Sequence, residues 1–430
     1  VVAVWCCVFH VVQVDPVIAR ALAEAVLGDV IAACDPAARV RDALAAPALA
    51  VRLAGRPRFA IAIGKAALAM ARGAGEVRRG LAVVPRGGSG AVPGGWQIVE
   101  GTHPEPDAAS AAAGLAVQAV VRAAGAGDAV LALISGGGSA LVEVPIVPLE
   151  AMVATVRAVM AAGAAIDEIN AVRGALSAIK SGQLALASAA PVVTLAVSDV
   201  IGDPLAVIGS GPTIGPWTAQ PGVAVDDGAA MRRQRARQVL ERYGLAVPAV
   251  LGEPLPAATV ARDDFAEVIA PMASAALAAV RALAARGIPA SWREAPIAAD
   301  VEQVADALAA VPVDQVVVAW GEPTLHVPEA HGAGGRAQQL ALTLARRLRG
   351  TQRVAFVVGT DGIDGPPPPD RPAPAGAWVD GQTWDRIAAG GGDPAAALAR
   401  CDAGGALARV GALVVTGATG INHADLVWIG

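Results

Sequence analysis

Cysteine is scarce in this chain: the four present, at positions 6, 7, 34 and 401 of 430 residues, form neither a C-x-x-C pair nor the even framework of a short secreted domain. Disulfides and a zinc site are therefore disfavoured. Histidine is equally sparse, with five residues and no metal-ligand spacing. No G-x-S-x-G elbow is present to support a hydrolase. The fingerprints of the common nucleotide-binding folds are missing too. Gly64-Lys65 lacks the upstream glycine and the following Ser or Thr of a P-loop. Gly209, Gly211 and Gly215 are wrongly spaced for G-x-G-x-x-G and enclose Pro212, which disfavours a nicotinamide dehydrogenase.

Long hydrophobic runs are absent as well. The longest uncharged one, Val1 to Val14, is shorter than the roughly 20 residues that cross a bilayer, and it has neither the basic start nor the small-residue cleavage site of a secretory signal. It suits a buried strand or helix, and the compartment expected is the cytoplasm. A formal charge of -5 gives no general attraction to nucleic acid, so neither nucleic acid nor membrane is an expected partner. The arginine cluster Arg232, Arg233, Arg235 and Arg237 falls on a predicted helix and reads as a solvated face.

What is abundant is apolar residues, at 55%, enough to build a large core. The length implies two or three domains at about 100 to 200 residues each, and two is the working count. Short β-branched runs, turns of Gly, Ser or Asp, and alanine-rich stretches alternate, which is the rhythm of βαβ units. Strands are predicted at Phe59 to Ile63, Leu81 to Val84, Ala129 to Ser135, Val192 to Ser198, Gln315 to Trp320, Val354 to Gly359 and Leu413 to Thr416. Their continuous apolar character predicts parallel sheets covered on both faces. Helices are predicted to begin near Pro16, Lys65, Asp107, Pro148, Asn170, Asp227, Asp264, Asp300, Gly335 and Thr383. A weakly patterned, proline-containing stretch from Ala246 to Ala258 places the domain boundary at 250/251, giving domains 1–250 and 251–430. The prolines from Pro366 to Pro369, with Pro372 and Pro374, predict an extended surface loop.

Ligands of open α/β sheets bind beyond the carboxyl ends of strands, and five polar clusters follow apolar runs here. Ser135, Gly136, Gly137, Gly138 and Ser139 form a turn whose backbone N–H groups suit a phosphate, although a ligand-free tight turn has the same spacing. Asp199 opens a glycine-rich stretch that continues to Ser210 and Gly211; its carboxylate suits a magnesium ion on nucleotide phosphates, or a turn cap. Lys65 sits where a strand gives way to a helix and can neutralise a phosphoryl group, or be an ordinary solvated charge. Arg336, behind Gly334 and Gly335, opens a helix whose N-terminus suits a phosphate or carboxylate. Asp361 and Asp364 lie among glycines after the strand Val354 to Val358, in a spacing that equally suits hydroxyl or metal binding and a simple turn. His103, among prolines, reads as shaping a loop.

Taken in order, these segments resemble the glycerate 2-kinase family, whose C-terminal part is the MOFRL domain. The resemblance is carried by Gly64-Lys65-Ala66-Ala67, Thr102-His103-Pro104-Glu105-Pro106-Asp107, Ile134-Ser135-Gly136-Gly137-Gly138-Ser139-Ala140-Leu141, Glu168-Ile169-Asn170-Ala171-Val172-Arg173, Leu176-Ser177-Ala178-Ile179-Lys180 and Ser198-Asp199-Val200-Ile201-Gly202-Asp203. It continues through Ser210-Gly211-Pro212-Thr213, Gly334-Gly335-Arg336, Gly359-Thr360-Asp361-Gly362-Ile363-Asp364-Gly365 and Thr416-Gly417-Ala418-Thr419-Gly420-Ile421-Asn422. It implies an α/β fold with a larger Rossmann-like N-terminal domain and a smaller α/β C-terminal domain, the active site in the interdomain cleft. It also implies transfer of the ATP γ-phosphoryl group to D-glycerate, a small-molecule hydroxy acid, with ATP and Mg²⁺. In that reading Lys65 and Arg336 stabilise the phosphoryl group, and Asp361 orients or deprotonates the acceptor hydroxyl. Asn422 is a polar neighbour, Asp199 contacts metal or phosphate, and Ser135 to Ser139 with Ser210 and Gly211 hold the nucleotide.

Some positions depart from the family pattern. Ala337 and Gln339 replace an amide and a carboxylate beside Arg336, Pro323 and His326 alter the segment after Gly321, and the proline run replaces a Thr- and Asp-containing loop. These changes admit a second reading, a catalytically weak relative that binds nucleotide or hydroxy acid as a sensor or assembly subunit. Members of the family are sometimes labelled hydroxypyruvate reductases, which the missing dinucleotide fingerprint argues against here. Association into homo-oligomers is left open.

Overall fold

A computed structural model describes residues 16–220, 222–253, 259–366 and 372–430. The apolar run Val1 to Val14 and the middle of the proline run lie outside the described residues. The chain divides into two compact units, one of Pro36–Pro271 and one of Val1–Asp35 with Met272–Gly430.

In the first unit six strands form one sheet: β1 (Arg58–Ile63), β2 (Arg79–Pro85), β3 (Trp96–Gly101), β4 (Ala129–Ile134), β5 (Val192–Val197) and β6 (Phe265–Ala270). Their order is β3-β2-β1-β4-β5-β6, and all five pairings are parallel. This is the doubly wound order of Rossmann-like sheets, with its switch point between β1 and β4. Both faces are buried, so β4 and β5 read as unbroken apolar runs. Ile61 and Ile63 pack on the helix Ala108–Arg122 through Val117 and Val121, while Ala60 and Ala62 pack on the opposite face with Met70 and Ala71. The Asp107 carboxylate caps that first helix, accepting from Ala109 and Ser110 N–H, as expected of an Asp at a helix start.

The second unit holds β7 (Ala290–Trp292), β8 (Val316–Gly321), β9 (Val354–Gly359), β10 (Gly376–Asp380), β11 (Leu413–Val414) and β12 (Asp425–Ile429), in the order β11-β10-β9-β12-β8-β7. Here the expected parallel sheet is corrected. Only β7 and β8 pair in parallel; β12, unforeseen from sequence, enters between β8 and β9 and runs antiparallel to both. Burial on two faces explains why the strands look parallel. Val317, Ala319, Val357 and Val427 face one apolar cluster, and Val318, Trp320, Phe356 and Trp428 the other. Phe356 and Trp428 stack with ring centroids 4.4 Å apart, a geometry that adds to their burial.

The expected boundary at 250/251 differs from the division observed, for two physical reasons. β6 pairs with β5 and keeps the chain in the first unit as far as Pro271. The helix Pro16–Ala33 instead packs in the second unit, its Val26 and Val30 sharing a cluster with Ala275 and Ala279 of the helix Ser274–Ala284. The helix predicted near Asp264 is also corrected, since β6 begins there. Asp264 is buried, accepts from Val192 N–H and from the Trp217 indole, and pairs with Arg262 at 2.7 Å.

Candidate functional site

The turns after β1 and β4 meet at the switch point. Lys65 N–H donates to the Gly136 carbonyl, and Ala66 N–H to Ser135 Oγ, which itself donates to the Ile63 carbonyl. Ser135 is thus a buried brace between two strand ends. A Cβ on Gly136 would lie 2.0 Å from Asp199 Oδ2 and displace that carboxylate. Gly137 is in the left-handed region at φ 83°, and a Cβ on it would sit 3.3 Å from His103 Cδ2 and 3.5 Å from Lys65 Cγ. Lys65, His103 and Asp199 therefore converge on one glycine turn. Burial, and then the Lys65 charge, lower the His103 pKa, with Asp199 opposing; the imidazole is neutral at pH 7 and Lys65 is the cation there.

Beside this turn opens a cavity of about 600 Å³, lined by His103, Gly137, Ser139, Asn170, Arg173 and Asp199 and walled by Met152, Val156 and Met160. Ser139 Oγ lies 2.7 Å from Ser210 Oγ. Gly209 lines the cavity and Gly211 does not; Gly211 turns the chain, its carbonyl accepting from Gly182 N–H. The N–H of Gly138 closes the turn on the Ser135 carbonyl. Beneath lies a pair whose role sequence reasoning did not foresee, although Lys180 belongs to one of the motifs that carry the resemblance. Lys180 Nζ donates to the carbonyls of Ser139 at 2.8 Å and Val142 at 3.1 Å, and lies 3.1 Å from Glu143 Oε2, both side chains 1% exposed. Burial lowers the Lys180 pKa, and Glu143 works against it.

The second unit brings Arg336, Asp361 and Asn422 to one cavity of about 260 Å³, together with Glu322, Asp364 and Asp425. Arg336 Nε donates to Asp425 Oδ2 at 2.7 Å and Nη2 to Oδ1 at 3.3 Å, with Glu322 3.4 Å away. The helix N-terminus behind Arg336 is not open to a ligand as expected. Asp364 fills it, accepting from the N–H of Ala337 at 2.9 Å and Gln338 at 2.7 Å. Ala337 and Gln339 are buried, and the Gln339 amide donates to the Leu398 carbonyl. Asp361 Oδ1 accepts from Ile363 N–H at 3.0 Å, and the residue lines the cavity.

Asp425 and Glu322 were not singled out by sequence; a polar residue opening the last strand, Asp425, was the only signal for the first. Burial pushes the Asp425 carboxyl up to about 6, Arg336 opposing and Asp364 and Glu322 adding. Its folded value lies above the ordinary 3.8, so the native state holds a proton that the unfolded chain has released. This group's contribution to stability is therefore lost as pH rises from about 4 to 6. The ion pair with Arg336 forms over the same interval. We expect activity to rise with pH through about 6 while this contribution to stability falls, as measured by kcat and by urea midpoints across pH. Asp425→Asn flattens both trends and lowers kcat by about tenfold, the scale of a lost orienting partner.

Residues 22–251 match the family described as a domain of unknown function, DUF4147, and residues 315–425 match the MOFRL family. D-glycerate 2-kinase of Thermotoga maritima is 36% identical over 389 residues, 85% of this chain and 89% of that protein. The crystal structure of glycerate kinase from Thermotoga maritima superposes with a TM-score of 0.84 at 31% identity, over 95% of this chain and 98% of the other. This chain belongs to the glycerate kinase family. A protein called putative hydroxypyruvate reductase, from Agrobacterium vitis, is 35% identical over 90% of this chain and 92% of its own length. No dinucleotide fingerprint accompanies that label in this chain.

Proposed function

We propose that this chain is a glycerate 2-kinase that transfers the γ-phosphoryl group of ATP to the 2-hydroxyl of D-glycerate, giving 2-phosphoglycerate and ADP. The observation that carries the reading is the convergence of Lys65, His103 and Asp199 on the Gly137 turn at a Rossmann switch point, in a member of the glycerate kinase family. The adjoining cavity, at about 600 Å³, is of small-molecule size. Its Met152, Val156 and Met160 wall offers apolar surface to a nucleobase, and the left-handed turn at Gly137 suits phosphate oxygens.

Among the described residues no group of three or more His, Cys, Asp and Glu is placed to hold a metal ion. Magnesium carried on nucleotide phosphates needs only one or two protein carboxylates, and Asp199 beside the turn fits that part. When bound, Mg·ATP supplies the phosphoryl group with part of its charge already neutralised. The protein's own residues do the rest. Lys65 and Arg336 present cations to the charge that develops, Asp361 Oδ2 accepts the hydroxyl proton of the acceptor, and Asn422 holds the acceptor beside it. The departures at Ala337 and Gln339 face the core, so they give the sensor reading no support.

Release of ADP that depends on both D-glycerate and Mg²⁺ tests the proposal; ATP binding without ADP release, whatever hydroxy acid is offered, would favour the sensor. Within the reading, Asp361→Asn lowers kcat with D-glycerate by about a hundredfold and leaves ATP binding intact. If Asp199→Ala keeps the magnesium dependence of the parent, its metal role is wrong.

A further inference from the structure

The arginine cluster that reads from sequence as a solvated face does something else in the fold. Two of its members, Arg232 and Arg233 of the helix Ala229–Arg242, line a separate cavity of about 410 Å³ together with Arg122, Gln118 and Asp227. Three arginines and one aspartate thus line it. That carboxylate is already engaged, Asp227 Oδ1 accepting from Ala229 N–H at 2.9 Å. Arg232 donates to the Asp227 carbonyl and Arg233 to the Glu253 carbonyl. Among the described residues none of the three arginines forms a salt bridge. Burial lowers the Arg232 pKa, Asp227 and then Asp226 opposing, the mark of a charge whose lost hydration is incompletely replaced.

A second observation points to a ligand independently. Gln118, one turn before Arg122 on the helix Ala108–Arg122, is 7% exposed, and its amide makes no hydrogen bond among the described residues. The amide atoms are not sealed from solvent; the residue lines a cavity with excess positive charge, so the amide is free to pair with what enters it. Arginine forks bind phosphate and carboxylate with paired hydrogen bonds, and the amide supplies a further donor.

We propose that this cavity is a regulatory site for a small anion of two or more charges, a phosphate monoester or polycarboxylate. The helix Ile166–Ala175 is its route of action: Gly174 and Ala175 line this cavity, while Ile166, Asn170 and Arg173 line the one assigned to the nucleotide. Gln183, also on the wall, donates to the carbonyls of Gly174 and Lys180. This route rests on the nucleotide reading, and the binding claim does not.

Calorimetric titration of the full chain with glycerol 3-phosphate and with tricarballylate separates the two anion classes and needs no turnover. At least one probe is expected to bind in the millimolar range or tighter. Arg122→Glu, at an exposed position, should weaken that binding by about tenfold or more without moving Tm. Lys65→Ala should leave it unchanged. No binding of either probe, binding indifferent to Arg122→Glu, or binding lost in Lys65→Ala would each overturn the site. The bound probe should also shift KM for ATP in the parent and not in Arg122→Glu; binding with no such shift overturns the regulatory role.

Discussion

Lys65→Ala is expected to lower kcat by about a hundredfold or more while Tm and the far-UV spectrum stay those of the parent. The ammonium is exposed and forms no ion pair among the described residues, so its loss leaves no buried partner behind. In the proposed reading what disappears is a cation on the β1 turn aimed at the developing phosphoryl charge, and losing one such group typically costs two to three orders of magnitude in rate. Steady-state kinetics decide it: an equal fall in kcat and kcat/KM marks an interaction made in the transition state, whereas a rise in KM alone would make Lys65 a ground-state anchor. Arg336→Ala is a less clean experiment, because it strands Asp425 in a buried position without its charge partner. Arg336→Lys, or Arg336→Ala in the Asp425→Asn background, separates chemistry from folding.

The second large effect is on stability. Lys180→Met is expected to cost about 3 to 5 kcal/mol, the scale of breaking a buried ion pair from one side. Glu143 would be left without its partner at 1% exposure, and the carbonyls of Ser139 and Val142 would lose their donor. Lys180→Met with Glu143→Gln should recover most of the loss, because neither member then carries a buried charge. Urea unfolding with an unchanged m-value measures both. Equal losses in the single and double variants would show that the two carbonyls, and not Glu143, are what Lys180 serves.

Much of the architecture is legible in the sequence because local signals and tertiary burial agree. Ile61 and Ile63 in β1 and Leu131 and Leu133 in β4 lie in unbroken apolar runs between turn residues, and Asp107 and Asp300 cap helices as their position before alanine- and valine-rich stretches predicts. The misreadings arise where long-range contacts override the local pattern. β12 is a five-residue strand opening on Asp425 after His423 and Ala424, and nothing local shows that it will enter the middle of a sheet antiparallel to its neighbours. Asp264 has the look of a helix cap, yet it serves Trp217 and Val192, far away in the chain.

The candidate site follows the same rule. Lys65, Gly137 and Asp199 stand out because each ends an apolar run, and the sheet order brings those ends together. Ser135 has the same local appearance but is consumed as a brace between β1 and β4. Asp364 occupies a helix N-terminus that local reasoning assigns to a ligand. Arg232 and Arg233 look like part of a solvated stripe until the helix Ala108–Arg122 brings Arg122 and Gln118 to the same cavity.

The central claim concerns which bond is made, and phosphorus NMR of the product tests it most directly. Purified chain with Mg·ATP and D-glycerate should yield one new phosphate monoester coupled to the single proton on C2, the pattern of 2-phosphoglycerate. A monoester coupled to the two protons of C3, or only ATP and glycerate after prolonged incubation with the intact fold, would contradict it.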